Sequence, residues 1–390
     1  LYLDNAATSF PKPREVADAM SRYFADLGAS PGRGGYAESV EAGRLMSECR
    51  AVISRLLNAA NPNHIIFTLN CSDALNLAIK GLIDPRRTDQ HAVCTSLDHN
   101  SILRPLNALA DDGCLTVTRV PVDPTTGLVD PQAVRRAMRP ETKMIAVTHA
   151  SNVTGTVQPL RAIGAVAKEA GVPFVVDAAQ SAGHVPIDAA ADHIDLLAAP
   201  GHKFLMGPLG TGFLWVRPGL EKTLRTLKEG GTGSVSELDR QPQFMPDKFE
   251  SGSHNAPGVI GLLAGARWVE AQTVQKLASH DARLTSVFLS RLEQIDGLTL
   301  YGPPTTASRI GVFSVRVGDL APQELSAILE SGYGVLTRSG LHCAPHAHGT
   351  LGTVEGGGTT RLSFGPFVTE ADVMRVADAL AEIGSDVLAR

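Results

Sequence analysis

"PFVVDAAQSAGHVPIDAAADHIDLLAAPGHKFLMGPLGTGFLWV", residues 173–216, holds three short apolar runs, with Asp177 closing the first and Lys203 following the second by one tight turn. The runs "PFVVDAA" (173–179), "HIDLLAA" (193–199) and "GFLWV" (212–216) are apolar almost without interruption. Strands covered on both faces read that way, whereas half-exposed strands alternate. Four more such runs precede them: "HIIFTL" (64–69), "HAVCTS" (91–96), "TVTRVPV" (116–122) and "MIAVTH" (144–149). Amphipathic stretches lie between, such as "LRAIGAVAKEAG" (160–171), closed by Gly171 and Pro173, and "DPQAVRRAMRP" (130–140), opened by Asp130 and Pro131. Strand and helix in alternation predict an α/β fold, a mostly parallel seven-stranded sheet between helices.

From about residue 256 the pattern changes. One long helical region (257–295) leads to a strand "GVFSVRV" (311–317), a helix "PQELSAILESG" (322–332), a strand "TRLSFG" (360–365) and a closing helix (369–388). The expectation is a large domain of residues 16–255 and a smaller α+β domain of residues 256–390, completed by residues 1–15.

Composition narrows the function. At 390 residues and 43% apolar content the chain can bury a large core. With 35 basic and 40 acidic residues well mixed, a net charge of -5 offers no basic stripe for nucleic acid. No apolar run reaches the roughly 18 residues that span a bilayer, and "LYLDNAATSFPKP" lacks the pattern of a signal peptide. The expectation is a cytoplasmic protein without nucleic-acid or membrane partners. Five cysteines, an odd number without a CxxC pair, read as reduced thiols.

In open α/β sheets ligands sit beyond the carboxyl ends of the strands, so Asp177 and Lys203 reach one crevice. An acid and an amine there suit a pyridinium cofactor: the acid pairs with the ring nitrogen and the amine links to the aldehyde of pyridoxal phosphate. Taken alone, a helix-capping Asp and a solvated loop Lys explain the two residues equally well. "NCSDALNLAIKGL" (70–82) follows a strand and opens a helix, where the N–H groups of Cys71 and Ser72 and the Ser72 hydroxyl can bind a phosphate. Ser72 as a plain N-cap is compatible with that. His99 comes from a third strand end with a flat ring, and Gln180 lies close enough to Asp177 to reach a phenolic oxygen.

The turn "RSGLHCAPHAHGTLG" (338–352) sets Cys343 beside His342 and after Arg338, a polar setting that favours a thiolate. A buried structural thiol describes Cys49 and Cys94 better. Zinc binding by His342, Cys343, His346 and His348 is a rival reading, disfavoured because adjacent His342 and Cys343 strain a shared coordination sphere. No metal is expected.

In order, "YLDNAATSFPKP", "NCSDALN", "SNVTGTVQPL", "VVDAAQSAGHVPID", "GHKFLMGPLGTGFL", "GGTGS", "KFESGSHN" and "RSGLHCAP" resemble the class V aminotransferase superfamily of fold-type I pyridoxal-phosphate enzymes. Within it they are most similar to the cysteine desulfurase and selenocysteine lyase branch, whose signature is R-x-G-x-H-C-A. The resemblance implies that Lys203 is the Schiff-base lysine, Asp177 the pyridinium partner, Gln180 the phenolate contact and His99 the stacking ring. Ser72 and His202, with Cys71 beside them, match the phosphate site, and Asn152 lies near substrate and cofactor. Arg361, with Arg338, matches the substrate-binding positions, Arg361 gripping the carboxylate. Thr232 of "GGTGS" matches a residue that approaches the phosphate of a partner subunit, implying a homodimer with shared active sites.

The implied reaction takes L-cysteine to L-alanine, Lys203 moving the Cα proton and Cys343 receiving sulfur as a persulfide for a sulfur-acceptor protein. Selenocysteine lyase, C–S lyase and aminotransferase activities on the same fold are the alternatives, as is a non-catalytic protein that keeps the fold. One departure stands out. Relatives carry Ser or Thr where this chain has Pro200, which offers neither hydroxyl nor N–H.

Overall fold

The computed structural model describes residues 1–32 and 34–389. The chain opens with helices α1 (Arg14–Arg22) and α2 (Ala37–Leu56), then alternates β1 (Ile65–Thr68), α3 (Cys71–Leu82), β2 (His91–Thr95), α4 (Asn100–Asp111), β3 (Thr116–Val120), α5 (Pro131–Ala137), β4 (Thr142–Thr148) and α6 (Leu160–Ala170). Three strands follow without an intervening α-helix: β5 (Phe174–Asp177), β6 (Leu196–Pro200) and β7 (Gly212–Val216). They form one sheet in the order β1-β7-β6-β5-β4-β2-β3, in which only β7 runs against its neighbours.

The apolar runs divide their residues between two cores, one on each face of the sheet. Val175, Leu196, Ala198 and Leu214 pack on one face with α3 and α4 residues such as Leu75 and Ile102. Phe174, Val176, Leu197 and Phe213 pack on the other with α2 and α6 residues such as Ile53 and Ile163. Alternate side chains point to opposite faces of a strand, so a sheet roofed on both sides needs an unbroken apolar run.

The remainder comprises α7 (Ala256–Gln272), α8 (Val274–Leu292), β8 (Leu298–Tyr301), β9 (Val312–Val317), α9 (Pro322–Tyr333), β10 (Arg338–Gly340), α10 (Pro345–Thr350), β11 (Thr359–Ser363) and α11 (Glu370–Leu388). Four of its strands make an antiparallel sheet, β10-β11-β9-β8, over a core of Phe288, Phe313, Phe364 and Leu380. Leu3 belongs to that core, and its backbone exchanges hydrogen bonds with Leu336 and Ser363. Helix α7 buries Val259, Leu262 and Ala266 in the same apolar cluster as the large sheet.

Three sequence expectations need correction. The single helical region of 257–295 is two helices: Thr273 takes φ 64°, and its hydroxyl accepts the Lys276 N–H to start α8. The strand expected from His193 begins at Leu196, because His193 turns at φ 55° and the Asp195 carboxylate is held by the Phe174 N–H at 2.8 Å. Strand β3 stops at Val120, where Pro121 has no N–H to continue the ladder.

Candidate active site

The parallel strands deliver their carboxyl ends to one edge of the large sheet, where a cleft of about 520 Å³ opens. Asp177 ends β5 and Lys203 lies three residues past the end of β6, and both line the cleft. Burial pushes the Asp177 carboxyl up, while burial draws the Lys203 amine down to about 8 against the opposing pull of Asp177. Each charge is costly here unless a partner is supplied. Asp177 is aimed by the Ala179 N–H at 2.9 Å and by the Cys71 thiol, 3.5 Å from the same Oδ1.

The wall on the α3 side holds Cys71 and Ser72. The N-cap of α3 is Asn70, whose Oδ1 accepts the Asp73 N–H at 2.9 Å, so Ser72 does not cap the helix. Its hydroxyl lies instead 2.7 Å from Ser101 Oγ, at the cleft. His99 caps α4 through Nδ1, which accepts the Ser101 N–H at 3.1 Å, and burial with the nearby Lys203 lowers it to about 4. The ring is therefore neutral at pH 7.

Opposite stand Gln180 and His202. Gln180 Nε2 donates to Ala6 O at 2.9 Å while its buried Oε1 has no partner among the described residues, and His202 Nδ1 is likewise unpartnered. The His202 carbonyl is gripped from behind by Lys12 Nζ at 2.6 Å and by the Ser9 and Thr8 hydroxyls at 3.1 Å. Pro200 lines the cleft and supplies no donor.

The residues present fit pyridoxal phosphate. A carboxylate waiting for a cation, an amine held largely deprotonated above about pH 8, a helix start with a hydroxyl and two unsatisfied polar atoms match a charged ring, an aldehyde and a phosphate.

At the rim sits the Cys343 turn. His342 and Cys343 take φ 47° and 60° in succession, a left-handed conformation that non-glycine residues hold only when their surroundings impose it. Three contacts do so: Asn152 Nδ2 donates to His342 O at 2.6 Å, the Asn100 N–H to Cys343 O at 2.8 Å, and the His342 ring meets Thr359 at 3.1 Å. Cys343 is exposed while Cys49, Cys71, Cys94 and Cys114 are buried. Its sulfur lies 3.8 Å from Arg338 Nη2. Arg361, 1% exposed, is the cross-strand partner of Arg338, ion-paired with Asp4 and donating to Asn152 O at 3.2 Å.

Lys203, Asp177, Gln180, His99, Cys71, Ser72, His202 and Asn152 thus share one cleft, with Cys343, Arg338 and Arg361 joined to it through Asn152 and Asn100. Thr232 is not part of the cleft, its hydroxyl lying 3.0 Å from that of Ser234. His342 and His348 turn inward to Thr359 and Thr353, away from the exposed thiol. Sequence reading assigned no role to Ser101, Lys12 or Asp4; Ser101 stood two residues past His99, and the other two lie within "YLDNAATSFPKP" (2–13).

A larger cleft of about 1040 Å³ lies beside Phe67 and Leu227, but its buried Glu250 is taken up by Arg50 and the Phe67 N–H.

The profile described as "Aminotransferase class-V" matches residues 1–376. A protein of Methanothermobacter thermautotrophicus named "Probable cysteine desulfurase" is 34% identical over 386 residues, covering 98% of this chain and 94% of its own. The apo structure of a cysteine desulfurase from Thermococcus onnurineus superposes with a TM-score of 0.92 at 31% identity, covering 99% of this chain and 95% of that one. A cysteine desulfurase from Escherichia coli in an S-sulfonic acid form gives 0.88 at 26%, covering 99% and 94%. With a family match along almost its whole length and relatives above 30% identity, the chain belongs to the class-V aminotransferase family.

Proposed function

We propose that this chain is a pyridoxal-phosphate-dependent cysteine desulfurase that converts L-cysteine to L-alanine and receives the sulfur on Cys343. The observation that carries the reading is the exposed thiol of Cys343 on a strained turn, tied by Asn152 and Asn100 to the cleft that holds Lys203 and Asp177. The relatives named as cysteine desulfurases support the same reaction.

Lys203 Nζ would hold the cofactor aldehyde, Asp177 the ring nitrogen, Gln180 the phenolic oxygen and Ser72 with His202 the phosphate. When bound, pyridoxal phosphate supplies an electron sink for a carbanion at the substrate Cα. Lys203, its amine drawn by burial down to about 8, takes and returns the Cα proton. His99, neutral, would face the cofactor ring without adding charge. Arg361 takes the substrate carboxylate with Arg338 beside it, and a planar guanidinium suits that task. The Cys343 sulfur then bonds to the substrate sulfur, the Cβ–S bond breaks with its electron pair left on carbon, and protonation there leads to L-alanine.

The reading extends to a homodimer in which Thr232 of one copy serves the cleft of the other, supported by its absence from the lining of its own cleft. It also extends to a cytoplasmic protein that hands sulfur to an acceptor. Among the described residues no helix is long and apolar enough to cross a membrane.

The test is turnover of L-cysteine by the reconstituted protein, with alanine, pyruvate and protein-bound persulfide assayed together. Alanine with a persulfide that vanishes in Cys343→Ala is expected. Pyruvate and ammonia formed equally by Cys343→Ala would replace the reading with β-elimination.

A further inference from the structure

We propose that Ser101 belongs to the phosphate-holding end of the cleft, orienting the Ser72 hydroxyl toward the anion and fixing the His99 ring, in a site where Pro200 contributes no donor. The proposal rests on the reading of the cleft as a pyridoxal-phosphate site.

Ser101 lies in the first turn of α4 and lines the same cleft as Ser72, His99 and His202. Its Oγ is 2.7 Å from Ser72 Oγ and 3.0 Å from His99 Nδ1, and its N–H lies 3.1 Å from that same Nδ1. Nδ1 of a neutral imidazole has one in-plane lone pair, and the backbone N–H of Ser101 takes it. The ring hydrogen is then on Nε2. Burial keeps the ring neutral, in agreement with that tautomer.

The Ser101 O–H is left with Ser72 Oγ as its acceptor. Donation in that direction leaves the O–H of Ser72 free to turn into the cleft at the start of α3, where N–H groups also point. The opposite direction would spend the Ser72 hydrogen on Ser101 and present lone pairs to the phosphate. A dianion selects the first arrangement, because hydrogen bonds to charged groups are the stronger ones. Gln180, 2% exposed with Oε1 unpartnered, independently marks the cleft as built for a polar ligand. Pro200 has no hydroxyl and no N–H, so a serine pair on α3 and α4 supplies what that turn lacks.

The experiment titrates cofactor-free protein with pyridoxal phosphate and, separately, with pyridoxal, following absorbance, for wild type, Ser101→Ala and Ser101→Thr. Ser101→Ala is expected to weaken pyridoxal phosphate about tenfold and pyridoxal less than about twofold, the loss of one oriented donor to a charged group. Ser101→Thr keeps the hydroxyl and should restore affinity to within about threefold of wild type. Ser101→Gly takes the place of Ser101→Ala if the latter does not fold. Equal weakening toward both compounds, or unchanged affinity for pyridoxal phosphate, overturns the role of Ser101 while leaving the cleft assignment intact. A wild-type protein that binds neither compound overturns both.

Discussion

The guanidinium of Arg338 stands 3.8 Å from the sulfur of Cys343, on a strand, β10, that places Arg338 directly opposite Arg361 of β11. Arg338 thereby brings positive charge to the one cysteine that is exposed, the other four being buried. Ellman's reagent should count one fast thiol per native chain and all five after denaturation, with the fast one absent from Cys343→Ala. Arg338→Met should keep the count at one yet raise KM for L-cysteine about tenfold, as expected if its charge serves the substrate. A second fast thiol, or an unchanged KM, would count against this division of roles.

Lys203 carries a stability signature that needs no substrate. Burial lowers its amine to about 8, below the ~10.4 of an unfolded lysine. Between those values the unfolded chain binds more protons than the folded one, so stability rises with pH across the window. The cost of the buried charge is full below pH 8 and gone by about 10.5. Lys203→Met should therefore stabilise the cofactor-free protein by roughly 1–3 kcal/mol at pH 7, shrinking toward zero at the top of the window. Thermal melts of both proteins from pH 7 to 10.5 test this, and a gain that does not shrink with pH would exclude it.

Asp177 and Lys203 were legible because a doubly covered strand announces itself as an unbroken apolar run, and the residue that ends it lies at the ligand edge of the sheet. Thr273 was not legible. The apolar periodicity of α7 and α8 continues across it, and the break comes from a positive φ and a side-chain cap that no periodicity reports. Contacts such as Lys12 to His202 O or Asp4 to Arg361 join residues 190 and 357 positions apart, and nothing local in the chain signals them.

Gly265 shows the same limit. In an exposed helix interior its replacement by Ala would gain about 1 kcal/mol. Here α7 runs so close to the turn after Lys203 that a Cβ would lie 2.5 Å from Leu205 O and 2.7 Å from Met206 C. Backbone cannot yield as a side-chain tip can, so Gly265→Ala should destabilise by about 1–3 kcal/mol and lower the urea midpoint. A midpoint at or above wild type would mean that the turn accommodates the methyl group.

Lys12 holds Lys203 from behind. Its ammonium reaches His202 O at 2.6 Å and Ser9 Oγ at 2.6 Å, while Ser9 Oγ also donates to Lys203 O at 2.7 Å. The carbonyls on both sides of the Lys203 Cα are thus pinned by the N-terminal segment, which itself runs along β11 of the smaller sheet. Removing the only charged donor of this set leaves neutral hydroxyls and one N–H on His202 O, which fix the turn less firmly. Burial draws the Lys12 amine down to about 8, so the cost of its buried charge offsets part of what these bonds contribute to stability. Lys12→Met should lower kcat several-fold, with KM for L-cysteine within about twofold, since Lys12 faces the back of the turn. Lys12→Arg, which keeps charge and donors, should recover most of kcat. A Lys12→Met protein that loses stability but keeps kcat would reduce Lys12 to a scaffold residue with no bearing on Lys203.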